Sequence, residues 1–561
     1  MTNAEPVDFG LLSLLPSAVA IILAIVSRRV IASLGLAIVV GAGLLAAGLP
    51  LAENEASRPV VLRAILKLVV PLYEAVRDTA HAQVLAFTLL FGAMIGVLEA
   101  SHAMQSLMQR LTRRAAGRRG GQTLVAALGL GVFFDDYANT LLLGGTMRRV
   151  CDRLRISRAK LAYLVDSTAA PVAGVAVVST WVATEVSLIG EGLPADSAVS
   201  GFQLFLHSIV YRFYPLFALV LVVLIARTGR DFGPMRTAER RAWLGEANDG
   251  DRDGESTVFA DTVDASQGGG WLWLAAVLPV LACVLTVAGV LWITGAAVVA
   301  GQDDAPAGGL RRWGEVLGNA NSYLALIAGG AVGWTLAIAA TWITRPRRST
   351  ARRIAVGSLA GMWQLAPAMV VLWLAWTLSA MTGDEQLNTG GFLGEVLSDR
   401  LPAALLPTTV FLVSGLVAFS TGTSWGTMAL LTPLAVQLAL QLSGAGPLDP
   451  LVVTTTGSVL AGSIFGDHCS PISDTTVLSS RACGCDHVEH VRTQMPYALS
   501  AAAVAVALGT VPAALGVSPW ISLLAGAVVL YGIVRLCGRP VEEATDIVAL
   551  EGGERVESNA P

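Results

Sequence analysis

The stretch GVFFDDYANTLLLGG, residues 131–145, interrupts an apolar part of the chain with two adjacent aspartates, Asp135 and Asp136, followed by Asn139 and Thr140. An ionised aspartate at the centre of a lipid bilayer costs about 3 kcal/mol or more. No arginine or lysine within the stretch offsets this cost. If the surrounding chain spans a membrane, these acids therefore indicate a functional site.

The composition is that of a polytopic α-helical membrane protein. Of the 561 residues, 54% are hydrophobic and 14% are charged, whereas a soluble domain carries about 25% charged residues. Apolar runs long enough to cross a bilayer recur along the chain. The first of them, Leu11–Val26, lacks a basic start and a cleavage site and is expected to be a retained helix. No basic face predicts nucleic acid as a partner, so the expected surrounding is the lipid bilayer.

Arginine clusters predict which helix ends face the cytoplasm. If residues 122–147 crossed the membrane once, the five arginines of Arg148–Lys160 would lie on the wrong side. We therefore favour a re-entrant hairpin over 122–147 with its tip at FFDDYAN, and keep a single crossing helix as the alternative. The clusters used are Arg28–Arg29, Arg110–Arg119, Arg148–Lys160, Arg227–Arg241, Arg345–Arg353 and Arg535–Arg539.

The order of predicted segments occurs twice, which indicates two inverted repeats and about 11 crossings in all. Each repeat has three helices, a re-entrant hairpin, a broken transmembrane helix and a further helix. Prolines and polar residues mark the breaks. The predicted division is a first repeat over 1–227 (hairpin 122–147, broken helix 161–187, helix 204–227), a cytoplasmic polar linker over 228–270, a second repeat over 271–515 (hairpin 402–441, broken helix 450–480), an additional helix over 516–537 and a cytoplasmic tail over 538–561.

The four interrupted segments carry the candidate site. Interrupted helices in corresponding positions of two repeats indicate the midplane site of a secondary transporter. Carboxylate, amide and hydroxyl oxygens suit a small hard cation such as Na⁺. Helix capping by the aspartates and interhelical packing by the hydroxyls are the structural alternatives. The candidate cation- and proton-binding residues are Asp135, Asp136, Asn139, Thr140, Asp166, Ser167, Thr168, Ser420, Thr421, Thr423, Ser424, Asp467, Ser470, Ser473, Asp474 and Thr475.

The motifs of these segments resemble those of the NhaC-type sodium/proton antiporter family. The resemblance is carried, in order, by FFDDYANTLLLGG, DSTAAPVAGV, FSTGTSWGTMALLTPLA, GSVLAGSIFGDHCSPISDTTVLSS and HVRTQMPYAL. It implies a member of the ion-transporter group with inverted repeats and hairpins. It also implies Na⁺/H⁺ exchange, although members of the family move malate, lactate or amino acids as well.

The leading functional hypothesis is exchange of Na⁺ for H⁺ by carboxylates that bind either ion in turn. Its alternative is Na⁺- or H⁺-coupled transport of a small organic acid or an amino acid. The interruptions contain no arginine or lysine, which favours the cation-only form. An intramembrane hydrolase and a passive channel are less well supported, so no enzyme activity is expected. We expect no cofactor beyond the transported Na⁺ and H⁺, a homodimer, and a multi-pass location in the cell membrane with a cytoplasmic C-terminus.

Overall fold

The computed structural model confirms a helical polytopic membrane protein. It describes residues 9–27, 29–48, 59–112, 117–194, 197–245, 272–300, 316, 320–344, 348–383, 386–389, 392, 396 and 402–541. In these residues nine helices are long and apolar enough to cross a membrane, or ten if a pair bent by 47° counts as one span. About 11 crossings were expected. The interrupted segments account for the difference, because several of their helices are too short or too polar to qualify.

The first half of the chain contains eleven α-helices within its described residues, and helix-capping side chains mark several of their starts. Asp78, Ser157 and Ser200 each accept a backbone N–H of the helix that follows. The helices are α1 (Leu15–Ser27), α2 (Val30–Gly48), α3 (Val60–Arg77), α4 (Thr79–Ala100), α5 (Ala103–Thr112), α6 (Gly117–Gly131), α7 (Asp136–Arg153), α8 (Arg158–Ala173), α9 (Val182–Glu191), α10 (Gly201–Ser208) and α11 (Phe213–Thr228).

The second half follows a short strand and an amphipathic helix. Between α21 and α22 the helix is π-helical over Ala505–Thr510. The elements are β1 (Arg230–Asp231), α12 (Gly233–Leu244), α13 (Leu274–Ala300), α14 (Ser322–Thr344), α15 (Arg348–Gln364), α16 (Ala366–Thr382), α17 (Leu406–Thr421), α18 (Ser424–Ser443), α19 (Pro450–Cys469), α20 (Asp474–Cys483), α21 (His487–Val504), α22 (Val511–Ala514), α23 (Pro519–Leu536) and β2 (Arg539–Pro540).

The break in the first interrupted helix lies further along the chain than the sequence indicated. Residues 166–171 were expected to interrupt it, but α8 continues through Pro171 and ends at Ala173. A proline removes only its own donor, and the backbone N–H of Gly174 still bonds to the carbonyl of Ala170 at 2.9 Å. The irregular segment is therefore 174–181, and Asp166 lies within a regular helix.

Part of the expected polar linker is folded. Of residues 228–270, those up to 245 are described, and they form β1 and α12. The carboxylate of Asp231 bonds to the ammonium of Lys160 and accepts a hydrogen bond from Tyr497 Oη at 2.7 Å. Glu239 in α12 bonds to the Arg118 guanidinium. The charges that suggested a solvated linker are thus used in buried pairs with other elements, and residues 246–270 lie outside the described part.

Small residues bring scaffold helices α4 and α15 into close contact. Gly92 and Gly96 of α4 face Gly361 and Gly357 of α15, and a Cβ atom added at Gly96 would lie 2.0 Å from the carbonyl oxygen of Gly357. Two G-x-x-x-G patterns therefore pack directly on each other, as small residues do between membrane helices. Helices α13 and α14 complete this group, whereas the interrupted helices pack beside it.

Candidate functional site

The break between α6 and α7 contacts the break between α8 and α9. Asp135 is the N-cap of α7 and accepts the backbone N–H of Ala138 at 2.7 Å. Its second carboxylate oxygen accepts a hydrogen bond from the Thr180 hydroxyl at 3.1 Å. The backbone N–H of Thr180 in turn bonds to the carbonyl of Phe134 at 2.9 Å. Asp135 is therefore a structural cap that also joins two interruptions.

Asn139 holds the first interruption to the middle of α8. Its amide nitrogen lies 2.8 Å from the Gly129 carbonyl, 3.0 Å from that of Val132 and 3.1 Å from that of Thr168. These contacts orient Asn139 Oδ1, which has no hydrogen-bond partner in the described part of the chain. The same is true of Thr140 Oγ1. Two buried acceptor oxygens thus lie on the first turns of α7, which begins at Asp136.

Asp166 is the centre of a buried polar network between the two halves. Its Oδ2 accepts a hydrogen bond from Gln494 Nε2 at 2.6 Å and lies 3.4 Å from His490 Nε2. It also lies 3.7 Å from His468 Nε2. Gln494 and His490 both belong to α21, so this carboxylate of the first half is bound mainly by a helix of the second half.

His468 completes this network from the end of α19. Its Nε2 lies 3.0 Å from Ser167 Oγ, and its Nδ1 lies 2.7 Å from Tyr214 Oη. Gln494 Nε2 bonds to the His468 carbonyl at 2.7 Å. The imidazole is 5% exposed. Both ring nitrogens therefore have partners, as expected for a histidine that bonds to its neighbours.

The two interruptions of the second half also contact each other. Ser470, in the break after α19, donates its hydroxyl to the Phe419 carbonyl of α17 at 2.7 Å. Gly422 has φ +70°, and a Cβ atom there would lie 2.5 Å from the Ile472 carbonyl oxygen. Glycine is therefore required both for the left-handed turn and for this close approach. Asp467, 1% exposed, accepts the Thr475 hydroxyl at 3.2 Å.

The sixteen predicted residues do not form one cluster. Asp135, Asn139, Thr168 and the Asp166 network follow one another through direct bonds, whereas Asp467, Ser473 and Thr475 form a second group in which the two hydroxyls lie 2.9 Å apart. Other hydroxyls have local roles: those of Thr168, Thr421 and Thr423 bond within their own helices or cap them. Ser420 is half-buried and Ser424 is buried. Asp474 begins α20, but its side chain lies outside the described part.

A buried arginine that the sequence analysis passed over lies at the first broken helix. Arg212 bonds to the carbonyl of Gly174, the first residue of the break, and its Nη1 lies 2.5 Å from Glu185 Oε2. Both side chains are 0% exposed. The absence of basic residues from the interrupted sequences therefore did not mean their absence from the interruptions in space. Arg212 comes from α11's N-cap position, which no local pattern links to residue 174.

Sequence reasoning also missed Thr180, Tyr214, His490 and Gln494 as site residues. Of these, His490 and Gln494 lie in HVRTQMPYAL, a motif already associated with the family, and this motif was the signal available. His490 had instead been considered with Cys483 and Cys485 for a zinc site, which its spacing disfavoured. Among the described residues no group of three or more histidine, cysteine or acidic side chains is arranged to hold a metal ion.

Comparison with known proteins identifies relatives of this fold and site. Residues 172–512 match the model of the Na⁺/H⁺ antiporter family. An uncharacterized protein of Haemophilus influenzae is 32% identical over 507 residues, which cover 89% of this chain and 90% of that protein. The malate-2H⁺/Na⁺-lactate antiporter of Bacillus subtilis is 34% identical over 110 residues, 20% of this chain and 22% of that protein. The match to it is therefore confined to one part of each chain.

A solved structure has the same fold. The YdaH transporter of Alcanivorax borkumensis superposes with a TM-score of 0.57 and 17% sequence identity, covering 90% of this chain and 98% of that one. At this identity the similarity concerns the fold alone. The helical arrangement described above is thus one that a transporter uses.

Proposed function

Because the chain belongs to the Na⁺/H⁺ antiporter family, we propose that this integral membrane transporter exchanges Na⁺ for H⁺. The observation that carries the proposal is the burial of four aspartates at or beside helix interruptions. Asp135, Asp136, Asp166 and Asp467 are 3%, 2%, 2% and 1% exposed. A buried carboxylate is stable when it is protonated or bound to a cation. Competition between the two ions for such a group is the chemistry of an exchanger.

The cation is best accommodated at the start of α7. Asp136, Asn139 and Thr140 are spaced i, i+3 and i+4 and so share one helix face. Asn139 Oδ1 and Thr140 Oγ1 are buried acceptor oxygens with no donor among the residues described. Together with the Asp136 carboxylate they provide the hard oxygen ligands that Na⁺ needs. Asp467, Ser473 and Thr475 are the corresponding oxygen group of the second half.

Asp166 is better suited to the proton than to the cation. Its Oδ2 already faces donors from Gln494 and from His490, which are groups that a cation would have to displace. A histidine pair around a carboxylate provides several positions for one proton. We therefore assign proton binding to Asp166 with His468 and His490.

The alternation of the exchanger is proposed to come from two inverted repeats. Helices α6–α7 and α17–α18 would be the two hairpins, entering from opposite sides of the membrane. Their second arms begin alike: Asp135 accepts the backbone N–H of Ala138, and Thr423 accepts that of Gly426. Both caps reach three residues ahead. We further propose a homodimer in the cell membrane with a cytoplasmic C-terminus.

A second candidate function is Na⁺- or H⁺-coupled transport of a small organic acid or an amino acid. The partial match to an antiporter of malate and lactate supports it. The buried Arg212 supports it too, since a positive group is present at an interruption after all.

The test is exchange in proteoliposomes that contain a pH-sensitive dye. An imposed Na⁺ gradient is expected to move protons with the wild-type protein, and Asp136→Asn is expected to lose nearly all of this response. Asp152→Asn is the matched control, because Asp152 lies on the same helix but at its exposed end, 3.4 Å from Arg158. Full activity of Asp136→Asn would exclude that carboxylate as the exchanging group. A wild-type response that required added organic acid would favour the second candidate.

A further inference from the structure

Helices α9 and α18 lie side by side and run in the same direction. At their starts the rings of Trp181 and Trp425 have centroids 5.5 Å apart. Eleven residues further along each helix, a Cβ atom at Gly192 would lie 2.7 Å from Val436 Cβ. The same offset at both ends makes the two helices parallel and in step. Their N-termini therefore lie next to each other, although one helix belongs to each half of the chain.

Adjacent parallel N-termini concentrate positive partial charge. Each helix carries the equivalent of about half an elementary charge at its N-terminus. In α18 the Thr423 hydroxyl accepts one of the free N–H groups, whereas the N-cap of α9, Trp181, provides no side-chain cap. Glu185, in the first turn of α9, is bound by Arg212 and neutralised by it. An acceptor for the end of α9 is therefore needed from elsewhere.

Buried hydrogen-bond donors at the same place also await an acceptor. Trp181 is 0% exposed and Thr184 is 1% exposed. Neither Trp181 Nε1, Trp425 Nε1 nor Thr184 Oγ1 has a hydrogen-bond partner within the described ranges. An indole N–H can only donate. A cation would not satisfy these indole groups, but an anion with two acceptor oxygens would.

We propose that Trp181, Trp425 and the first turn of α9 form a binding site for the carboxylate of a small organic anion. Two indole rings and the buried side chains of Val178 and Val182 surround the site with apolar groups. These suit the carbon skeleton of an organic acid better than a hydrated inorganic ion. Half-helix N-termini are used in this way for anionic substrate groups in transporters.

The site lies beside the proposed cation site. Thr180, which directly precedes Trp181, donates its hydroxyl to Asp135 at 3.1 Å, and Asp136 is the next residue. An anion at Trp181 would be repelled by these carboxylates unless a cation neutralised them. Carboxylate binding should therefore increase with Na⁺. This coupling rests on the proposed function, and it would make the chain a cation-coupled carboxylate carrier.

The test is equilibrium binding of radiolabelled L-lactate and L-malate to the purified full-length protein in Na⁺. Trp181→Phe and Trp425→Phe keep an aromatic ring but remove the N–H, and each is expected to weaken binding of the accepted acid roughly tenfold or more. Trp334→Phe is the matched control, because the Trp334 N–H already bonds to Ser358 at 3.0 Å in α14 and α15. Replacing Na⁺ by a large organic cation should also weaken binding.

Several results would overturn the inference: no binding of either acid, equal binding by all three variants, displacement by equimolar chloride or phosphate, or binding that is independent of Na⁺. Na⁺-driven proton movement measured without any organic acid separates this inference from the proposed function. If that movement is intact in the wild type and in Trp181→Phe while no acid binds, the carboxylate site is refuted and the exchange function stands.

Discussion

The side-chain nitrogen of Gln494 lies 2.6 Å from Oδ2 of Asp166, although 328 residues separate them in the chain. The same nitrogen lies 2.7 Å from the carbonyl of His468. One amide thus joins α8, the end of α19 and α21. Any movement that separates these helices has to break this contact, which places Gln494 at a junction between the two halves.

Replacing Gln494 by leucine is expected to reduce both stability and transport. The change leaves the Asp166 carboxylate and the His468 carbonyl short of a donor, and a buried unsatisfied group costs about 1–3 kcal/mol. The control is Thr493→Ala, since the Thr493 hydroxyl bonds only within its helix, to the carbonyls of Glu489 and His490. Thermal unfolding in detergent and exchange in proteoliposomes measure the two effects. Equal behaviour of both variants would contradict the joining role of Gln494.

The two adjacent aspartates are expected to respond differently to the same change. Asp135→Asn keeps an N-cap side chain and should retain most of the exchange activity, whereas Asp136→Asn should lose it. Asp135→Ala removes the cap and should destabilise the protein by about 1 kcal/mol. Unfolding midpoints and exchange rates of the three variants provide the comparison. A loss of exchange in Asp135→Asn at unchanged stability would mean that Asp135 binds the transported ions as well.

The Glu185–Arg212 pair should be more costly to break than to remove. Glu185→Leu leaves the guanidinium buried with its charge uncompensated, which costs about 3–5 kcal/mol. Adding Arg212→Met removes this charge, so the double variant should be more stable than Glu185→Leu alone. A double-mutant cycle of unfolding free energies measures the coupling. The remaining loss in the double variant reports the contact of Arg212 with the Gly174 carbonyl. Additive effects would show that the two charges do not depend on each other.

One glycine-to-alanine change should destabilise the protein while another stabilises it. At Gly96 a Cβ atom would lie 2.0 Å from the Gly357 carbonyl oxygen, so Gly96→Ala must push α4 and α15 apart. At Gly145 the same atom would meet nothing within 4 Å. There, alanine should gain the helix propensity of about 1 kcal/mol that glycine lacks. Opposite shifts in the unfolding temperature are the expected result, and equal shifts would rule out close packing at Gly96.

The membrane class, the family and most interrupted segments could be predicted from the sequence. The breaks at 422–423 and 470–473 lie where FSTGTSWG and GDHCSPISDTT indicated them. The break after α8 was placed too early, because Pro171 was taken as its cause. Neighbouring helices pack around α8, and the helix continues through the proline to Ala173. Local signals located interruptions well only where glycine and a capping residue mark them.

The sequence by itself determined that acids lie inside apolar segments, since lipid offers no water to the backbone and leaves helices as the only spanning structure. Only the tertiary structure decided which groups those acids meet. Asp135 proved to be a cap bonded to Thr180, Asp166 faces His490 and Gln494, and Arg212 occupies a break that contains no basic residue of its own. Helix formation depends on neighbours along the chain, whereas these contacts depend on how helices from the two halves pack. That is why the pairing of Trp181 with Trp425 could be read only from the folded protein.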